Sequence, residues 1–150
     1  MNKTNVSYIN VKSTVVDNVT TVELLFGINL EKIPCVYGLE NVGVDVEHIF
    51  EKYSSFSNVA GTMALFTVTG VAKCNDEDIE VMDDLVGYRI ALSTAQKKAF
   101  SVAKRLYKDL FDETLKTFVE PLVDYKVGSQ KAEINCANHK PEIVNTYYKF

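Results

Sequence analysis

Five cations follow one another at helical spacing in the middle of the chain: Lys97, Lys98, Lys104, Arg105 and Lys108. At about 100° per residue they lie on one arc of a helix, and we call this set the basic stripe. A row of cations of this kind is typical of surfaces that contact a phosphate backbone and release its counterions. The pattern predicts contact with single- or double-stranded nucleic acid, without base specificity. The alternative is a solvated helix face, or one that contacts an acidic surface of the same or a neighbouring subunit.

The charge of the chain is unevenly distributed. The net charge is −4, which by itself disfavours a general binder of polyanions. Residues 88–108 carry six cations and no acid, so the remaining residues carry a net charge of −10. Part of that negative charge comes directly before the basic segment, at Asp76, Glu77, Asp78, Glu80, Asp83 and Asp84. The basic stripe is therefore a local feature of an acidic protein.

The acidic turn at residues 76–84 is a second candidate site. Carboxylates are the ligands that Mg²⁺ and Ca²⁺ prefer, but the spacing here matches no EF-hand loop. The pair Cys136 and His139 has the spacing of half a zinc site, and it lacks two further ligands nearby in the sequence. We expect neither segment to bind a metal.

The chain has three cysteines, a small and odd number. Cys35, Cys74 and Cys136 are widely separated, which argues against a disulfide framework and favours a reducing compartment. We expect all three to be buried as small apolar side chains. Residues 1–10 are polar, and no apolar run approaches the roughly 20 residues of a membrane span. These features predict a cytoplasmic protein that does not contact a membrane.

Motifs of common enzymes do not occur in the chain. There is no P-loop, no dinucleotide-binding glycine pattern, no nucleophile elbow and no zinc-protease motif, and the chain has only two histidines. The sequence favours a non-enzymatic protein without a cofactor. An enzyme that uses a metal at the acidic turn is a third alternative.

The elements that must position the basic stripe begin with strands. Val6–Val16 and Val19–Ile28 are rich in Val, Thr and Tyr, and the polar break between them predicts a hairpin. Met63–Lys73 is predicted to be a central strand, and Ile79–Met82 a short return strand. The strand residues Tyr8 and Phe66 are candidates either for stacking on bases or for the core.

A short helix is predicted near residues 45–54, capped by Asp45. The strongest pattern predicts a long amphipathic helix over about residues 86–111, and its apolar face comprises Leu92, Ala95, Ala99, Ala103, Leu106 and Leu110. Asp112 is predicted to cap a second short helix through Val119, which Pro121 ends. The tail from Leu122 mixes strand-like and polar pieces. Its apolar last residues should pack on their own domain or on a neighbouring subunit.

Together these elements predict a single α+β domain over residues 1–150. We expect a mainly antiparallel sheet that packs against the long helix, with the basic stripe on the outward face of that helix.

Two local resemblances fall within residues 62–111. The segment Gly70–Asp78 (GVAKCNDED), followed by Gly87–Ala91 (GYRIA), resembles a pattern in small bacteriophage proteins of unassigned role. Ala95–Leu106 (AQKKAFSVAKRL) resembles the last helix of double-stranded-RNA-binding domains and the basic helix of phage single-strand annealing proteins. Both classes place a helix after a curved antiparallel sheet. The resemblance implies that Lys97, Lys98, Lys104 and Arg105 face phosphate, and that the protein works in the cytoplasm of a phage host.

The alternative function is a protein–protein interaction. The apolar content, the aromatic C-terminus and the separated charges suit a viral structural component or an inhibitor of a host enzyme. Contact between the acidic turn of one copy and the basic helix of another would assemble a homo-oligomer.

Overall fold

The computed structural model describes residues 3–74 and 84–147, with residues 139–147 described by their backbone alone. The chain divides into two compact units, Met1–Leu110 and Phe111–Phe150. The first unit contains the sheet, and the second is helical over its described residues. The predicted α+β class is confirmed. The expectation of one domain over residues 1–150 stays a prediction.

The first two strands form the predicted hairpin. β1 covers Ser7–Val16 and β2 covers Val19–Asn29, and the two strands pair antiparallel. Between them, Asp17 and Asn18 have positive φ angles of 50° and 62°. Asp and Asn tolerate this left-handed conformation better than most residues, and two such residues in succession match the twist of a tight hairpin. The polar break in the sequence is therefore the turn.

Two short helices connect the hairpin to the rest of the sheet. A 3₁₀ turn over Leu30–Lys32 leads into α1, Pro34–Asn41, and α2 follows over Val46–Glu51. α1 begins at its proline, where the missing N–H leaves no helical hydrogen bond unmade. The predicted cap of α2 is confirmed, because Asp45 Oδ1 accepts a hydrogen bond from the backbone N–H of His48 at 3.3 Å.

The remaining strands complete a four-stranded antiparallel sheet. β3 covers Phe56–Ala60, β4 covers Met63–Lys73, and the strand order is β1-β2-β4-β3. β4 is therefore central, as predicted. β3 was not predicted, because its five residues lack an alternating apolar pattern and its backbone is ordered by pairing with β4. The return strand predicted at Ile79–Met82 lies outside the described residues.

One face of the sheet forms the core of the first unit. Alternate residues of β2 and β4 share this face and are buried: Val22, Leu24, Phe26, Ile28, Ala64, Phe66 and Val68. Phe66 lies at its centre, with its ring centroid 5.4 Å from that of Phe26 and 6.4 Å from that of Tyr53. These aromatic contacts anchor the turn after α2 to the sheet.

The long helix α3, Asp84–Thr114, confirms the predicted helix and extends it at both ends. Its buried residues are Gly87, Ala91, Ala95, Ala99, Val102, Ala103, Leu106 and Leu110. Leu92, predicted to be in this face, is only half-buried. The helix lies close to β4 at Gly70, where an added Cβ would stand 2.6 Å from the backbone N of Ala95. Small residues on both elements permit this approach, as the alanine pattern predicted.

The C-terminal part differs from the prediction. A π-helical segment, Leu115–Val119, leads directly into α4, Glu120–Tyr147. The prediction that Pro121 ends a helix is wrong, and so is the prediction of strand-like pieces after it. Pro121 lies in the first turn of α4, and the wider π turn before it relieves the clash that a proline makes with the preceding turn. α4 exposes apolar side chains, among them Leu122 at 67% and Tyr125 at 74%. The side chains of residues 143–150, predicted to pack on a domain or subunit, lie outside the described part.

Candidate nucleic-acid interface

A basic groove runs between α3 and the edge of the sheet in the first unit. It consists of two adjoining hollows of about 470 and 450 Å³ that share Ser54, Ser55 and Arg105. The cations that line it are Lys52, Lys98, Arg105 and Lys108. Three of them come from α3, and Lys52 comes from the end of α2. The groove is therefore formed by elements that are far apart in sequence.

The position of the α3 cations follows from helix geometry. Lys98, Arg105 and Lys108 lie along one flank, because steps of three and seven residues return to nearly the same side at about 100° per residue. That flank borders the buried face of α3, so packing on the sheet turns these side chains toward β4 and the turn after α2. A hydrophobic contact on one arc thus determines the direction of cations on the next.

Arg105 is held by an aromatic side chain. Its guanidinium carbon lies 5.7 Å from the centroid of the Tyr53 ring, within the range of a cation–π interaction. The Tyr53 hydroxyl donates a hydrogen bond of 2.5 Å to Asp109 Oδ2. Because Tyr53 also packs edge-on against buried Phe66, this set of contacts gives the guanidinium a defined position in the groove.

Asp109 is the one carboxylate among the described residues that line the groove. One of its oxygens accepts the Tyr53 hydrogen bond, which partly satisfies its negative charge. Burial raises the pKa of the Tyr53 phenol, and the neighbouring Asp109 raises it further. Tyr53 therefore stays protonated at neutral pH and continues to donate to Asp109. The groove contains four cations and one carboxylate, and that carboxylate already accepts a hydrogen bond from Tyr53. The groove is therefore positively charged.

Lys98 lines the second hollow of the groove, whereas Lys108 and Asp109 line the first. Its Nζ donates a hydrogen bond of 2.7 Å to the backbone carbonyl of Thr69 on β4. The same region presents hydroxyl groups that could donate to an anion: Ser54, Ser55, Thr67, Thr69 and Ser101. Cations and hydroxyls on a concave surface are the groups that proteins use for phosphate oxygens.

The structure divides the predicted basic stripe. It brings Lys98, Arg105 and Lys108 together in the groove. Lys104 lines a separate hollow beside Lys3, and Lys97 is exposed and lines none of these three hollows. Sequence reasoning missed Lys52 and Lys3, because helical periodicity relates residues of one helix only and carries no signal for cations brought in by other elements.

Two further side chains named from the sequence have clear positions. Phe66 is fully buried, so the structure assigns it to the core and excludes stacking on a base. Tyr8 is 45% exposed and lies edge-on to Phe100 of α3, with ring centroids 6.4 Å apart. Tyr8 thus remains available to a ligand.

The other sequence candidates give no site among the described residues. In residues 3–74 and 84–138, no three His, Cys, Asp or Glu side chains are grouped as metal ligands would be. The acidic turn lies outside the described residues except for Asp84, the first residue of α3, and so does the side chain of His139. Of the cysteines, Cys74 is buried as predicted, Cys35 is half-buried, and Cys136 is exposed, which contradicts the prediction.

The raised pKa of Tyr53 predicts a pH dependence of stability. Its folded-state pKa lies above the ordinary value of 10.0, so its contribution is full below that pH and is lost as pH rises through the folded-state pKa. We expect the free energy of unfolding to fall from about pH 9 to about pH 11, and to fall less steeply in Tyr53→Phe. Urea unfolding at each pH measures both slopes. Tyr125→Phe, at a 74% exposed position, is the control and should keep the wild-type slope. Equal slopes in wild type and Tyr53→Phe would contradict the assignment.

The described helices include none with the length and apolar character needed to cross a membrane. No family model matches the chain, and neither does any curated protein or solved structure.

Proposed function

We propose that this protein is a non-enzymatic binding protein that holds the backbone of nucleic acid in its basic groove. The observation that carries the proposal is the convergence of Lys52, Lys98, Arg105 and Lys108 on one concave surface. Cations that are dispersed over a convex surface are usually solvated, whereas cations that line a groove reinforce one another's potential. Three of the four belong to the basic stripe.

The groove suits phosphate better than bases. Arg105 can offer a planar pair of donors to phosphate oxygens, and the lysines supply charge without strict geometry. The Ser and Thr hydroxyls at its wall can add neutral donors. Contacts of this type position a nucleic acid without reading its sequence. The proposal therefore includes affinity that depends on charge and length, not on base order.

A phage origin and a role in a host cytoplasm belong to the same proposal. Their support is the local resemblance of Gly70–Asp78 and Ala95–Leu106 to phage proteins and nucleic-acid-binding helices.

A protein–protein interaction is the second candidate function. The specific observation in its favour is the exposed apolar surface of α4, where Leu122 and Tyr125 are largely solvent-accessible. Such a surface suits either self-assembly or a different protein partner. This candidate becomes the leading one if the groove does not bind nucleic acid.

Binding of labelled single-stranded DNA and double-stranded RNA, measured by fluorescence anisotropy, tests the proposal. If all four groove cations contact phosphates of a single strand, the affinity should fall roughly 50-fold between about 50 and about 200 mM salt. The physical reason is release of condensed counterions, which becomes less favourable as bulk salt rises. Absence of binding at the lower salt, or binding that is insensitive to salt, would contradict the proposed function.

A further inference from the structure

A third hollow lies on the other flank of α3 and is not part of the basic groove. It has a volume of about 310 Å³, and we call it the aromatic pocket. One wall is the segment before β1, and the other is α3; the lining residues are Lys3, Thr4, Asn5, Val6, Phe100, Ala103, Lys104 and Tyr107. Its lining combines aromatic and aliphatic surface with two lysines, which differs from the hydroxyl-rich wall of the groove.

The N-terminal wall of the pocket is anchored by hydrogen bonds. Asn5 Nδ2 donates to the carbonyl of Asn29 at 2.7 Å, and the Asn29 N–H donates to Asn5 Oδ1 at 3.3 Å. The Tyr107 hydroxyl donates to the Asn5 carbonyl at 3.3 Å, and burial raises the pKa of that phenol. Because the segment is tied to both β2 and α3, the pocket is preformed and needs little ordering when a ligand enters.

An aromatic ring is exposed at the pocket. Phe100 is 41% exposed, and the exposed Lys97 and Lys104 lie three and four residues from it on the same helix. Tyr8 contacts Phe100 edge-on, with an interplanar angle of 74°. Tyr8 is therefore not stacked face to face on the Phe100 ring. A flat aromatic group could stack there, in the offset geometry that aromatic pairs prefer.

The charges around the pocket define the class of ligand. Lys3 and Lys104 line it, and none of its described lining residues is acidic. A ligand that fits must therefore combine a flat ring with negative charge. A nucleotide of a nucleic-acid chain has both.

We propose that the aromatic pocket holds one unstacked base of a single strand, against Phe100, with the adjoining phosphates at Lys3 and Lys104. This inference rests on the proposed function and specifies that the ligand is single-stranded nucleic acid. Bases of a duplex are stacked inside the helix, so they do not reach Phe100. A strand that enters the pocket from the groove crosses the exposed side of α3, whose width of about 10–12 Å carries Lys97 and Lys104.

The test compares a labelled DNA strand of about 20 nucleotides with the duplex of the same sequence, at about 50 mM salt, by fluorescence anisotropy. Wild type should bind the single strand more tightly. Phe100→Ala should weaken single-strand binding about 10-fold and leave duplex binding unchanged, because only the single strand loses a stacked base. Phe100→Tyr keeps an aromatic face and should keep wild-type affinity. Phe111→Ala, at a 62% exposed position in the second unit, is the matched control and should bind as wild type.

Failure of this inference is distinguishable from failure of the proposed function. Equal single-strand affinity in wild type and Phe100→Ala, or equal weakening of both nucleic acids, overturns the base pocket while salt-sensitive binding keeps the groove. No binding of either nucleic acid by wild type overturns both. Wild-type melting temperatures of the Phe100 variants show that any loss is local, as expected for an exposed side chain.

Discussion

Lys98→Glu/Arg105→Glu is expected to lower the affinity for nucleic acid about 100-fold at about 50 mM salt. Both side chains line the groove, so the change removes two cations that face phosphate and places two negative charges beside the strand. The dependence of log affinity on log salt should also become shallower, by about 0.7 for each single-strand phosphate that the variant no longer neutralises. Fluorescence anisotropy over a series of salt concentrations measures both effects.

The matched control is Lys126→Glu/Lys131→Glu. These lysines are exposed on α4, in the second unit, and their reversal changes the net charge by the same amount. The control should retain most of the wild-type affinity, because neither lysine lines the groove. Equal reductions in affinity in both variants would attribute binding to overall charge and contradict a groove. Circular dichroism of the groove variant checks the fold, since Lys98 also donates to the Thr69 carbonyl.

Gly70→Ala is expected to reduce the free energy of unfolding of the first unit by about 2–4 kcal/mol. The new Cβ would stand 2.6 Å from the backbone N of Ala95 and would overlap the backbone carbonyl of Ala91. Backbone atoms cannot rotate away as a flexible side chain can, so α3 must shift from the sheet. That shift loosens the packing that keeps the groove cations in place. Urea unfolding measures the resulting loss in the free energy of unfolding.

Gly128→Ala is the control for the glycine substitution. Gly128 lies within α4, and an added Cβ there meets no atom within 4 Å. Alanine in an exposed helix is favoured over glycine by about 0.5–1 kcal/mol, so the control should be neutral or slightly stabilising. If Gly70→Ala unfolds at the wild-type urea concentration, then α3 does not pack as closely on β4 as described.

Local signals account for the elements that were predicted well. The hairpin turn follows from Asp17 and Asn18, which accept positive φ, and the cap of α2 follows from the Asp45 side chain. The long helix follows from alanines that recur on one arc. In each of these cases, residues within a few positions of one another contain the relevant information.

The sequence predictions are wrong or missing where residues distant in the sequence, or the local backbone geometry, determine the secondary structure. β3 forms because β4 pairs with its backbone, which no pattern within residues 56–60 reveals. Pro121 by itself predicts a helix end, since proline usually interrupts the hydrogen bonds of a helix interior. The π-helical segment before it accommodates the ring and lets α4 continue.

The candidate interface shows the same division. The sequence by itself determined that a helix near residues 86–111 carries cations on one arc and alanines on another, because side-chain angle along a helix depends only on residue number. Which cations act together was decided by tertiary structure. The close approach at Gly70 sets the rotation of α3, so Lys98, Arg105 and Lys108 face the sheet edge while Lys104 faces the aromatic pocket. Lys52 joins the groove because the aromatic packing around Phe66 brings the end of α2 to that edge, and no helical periodicity connects it to α3.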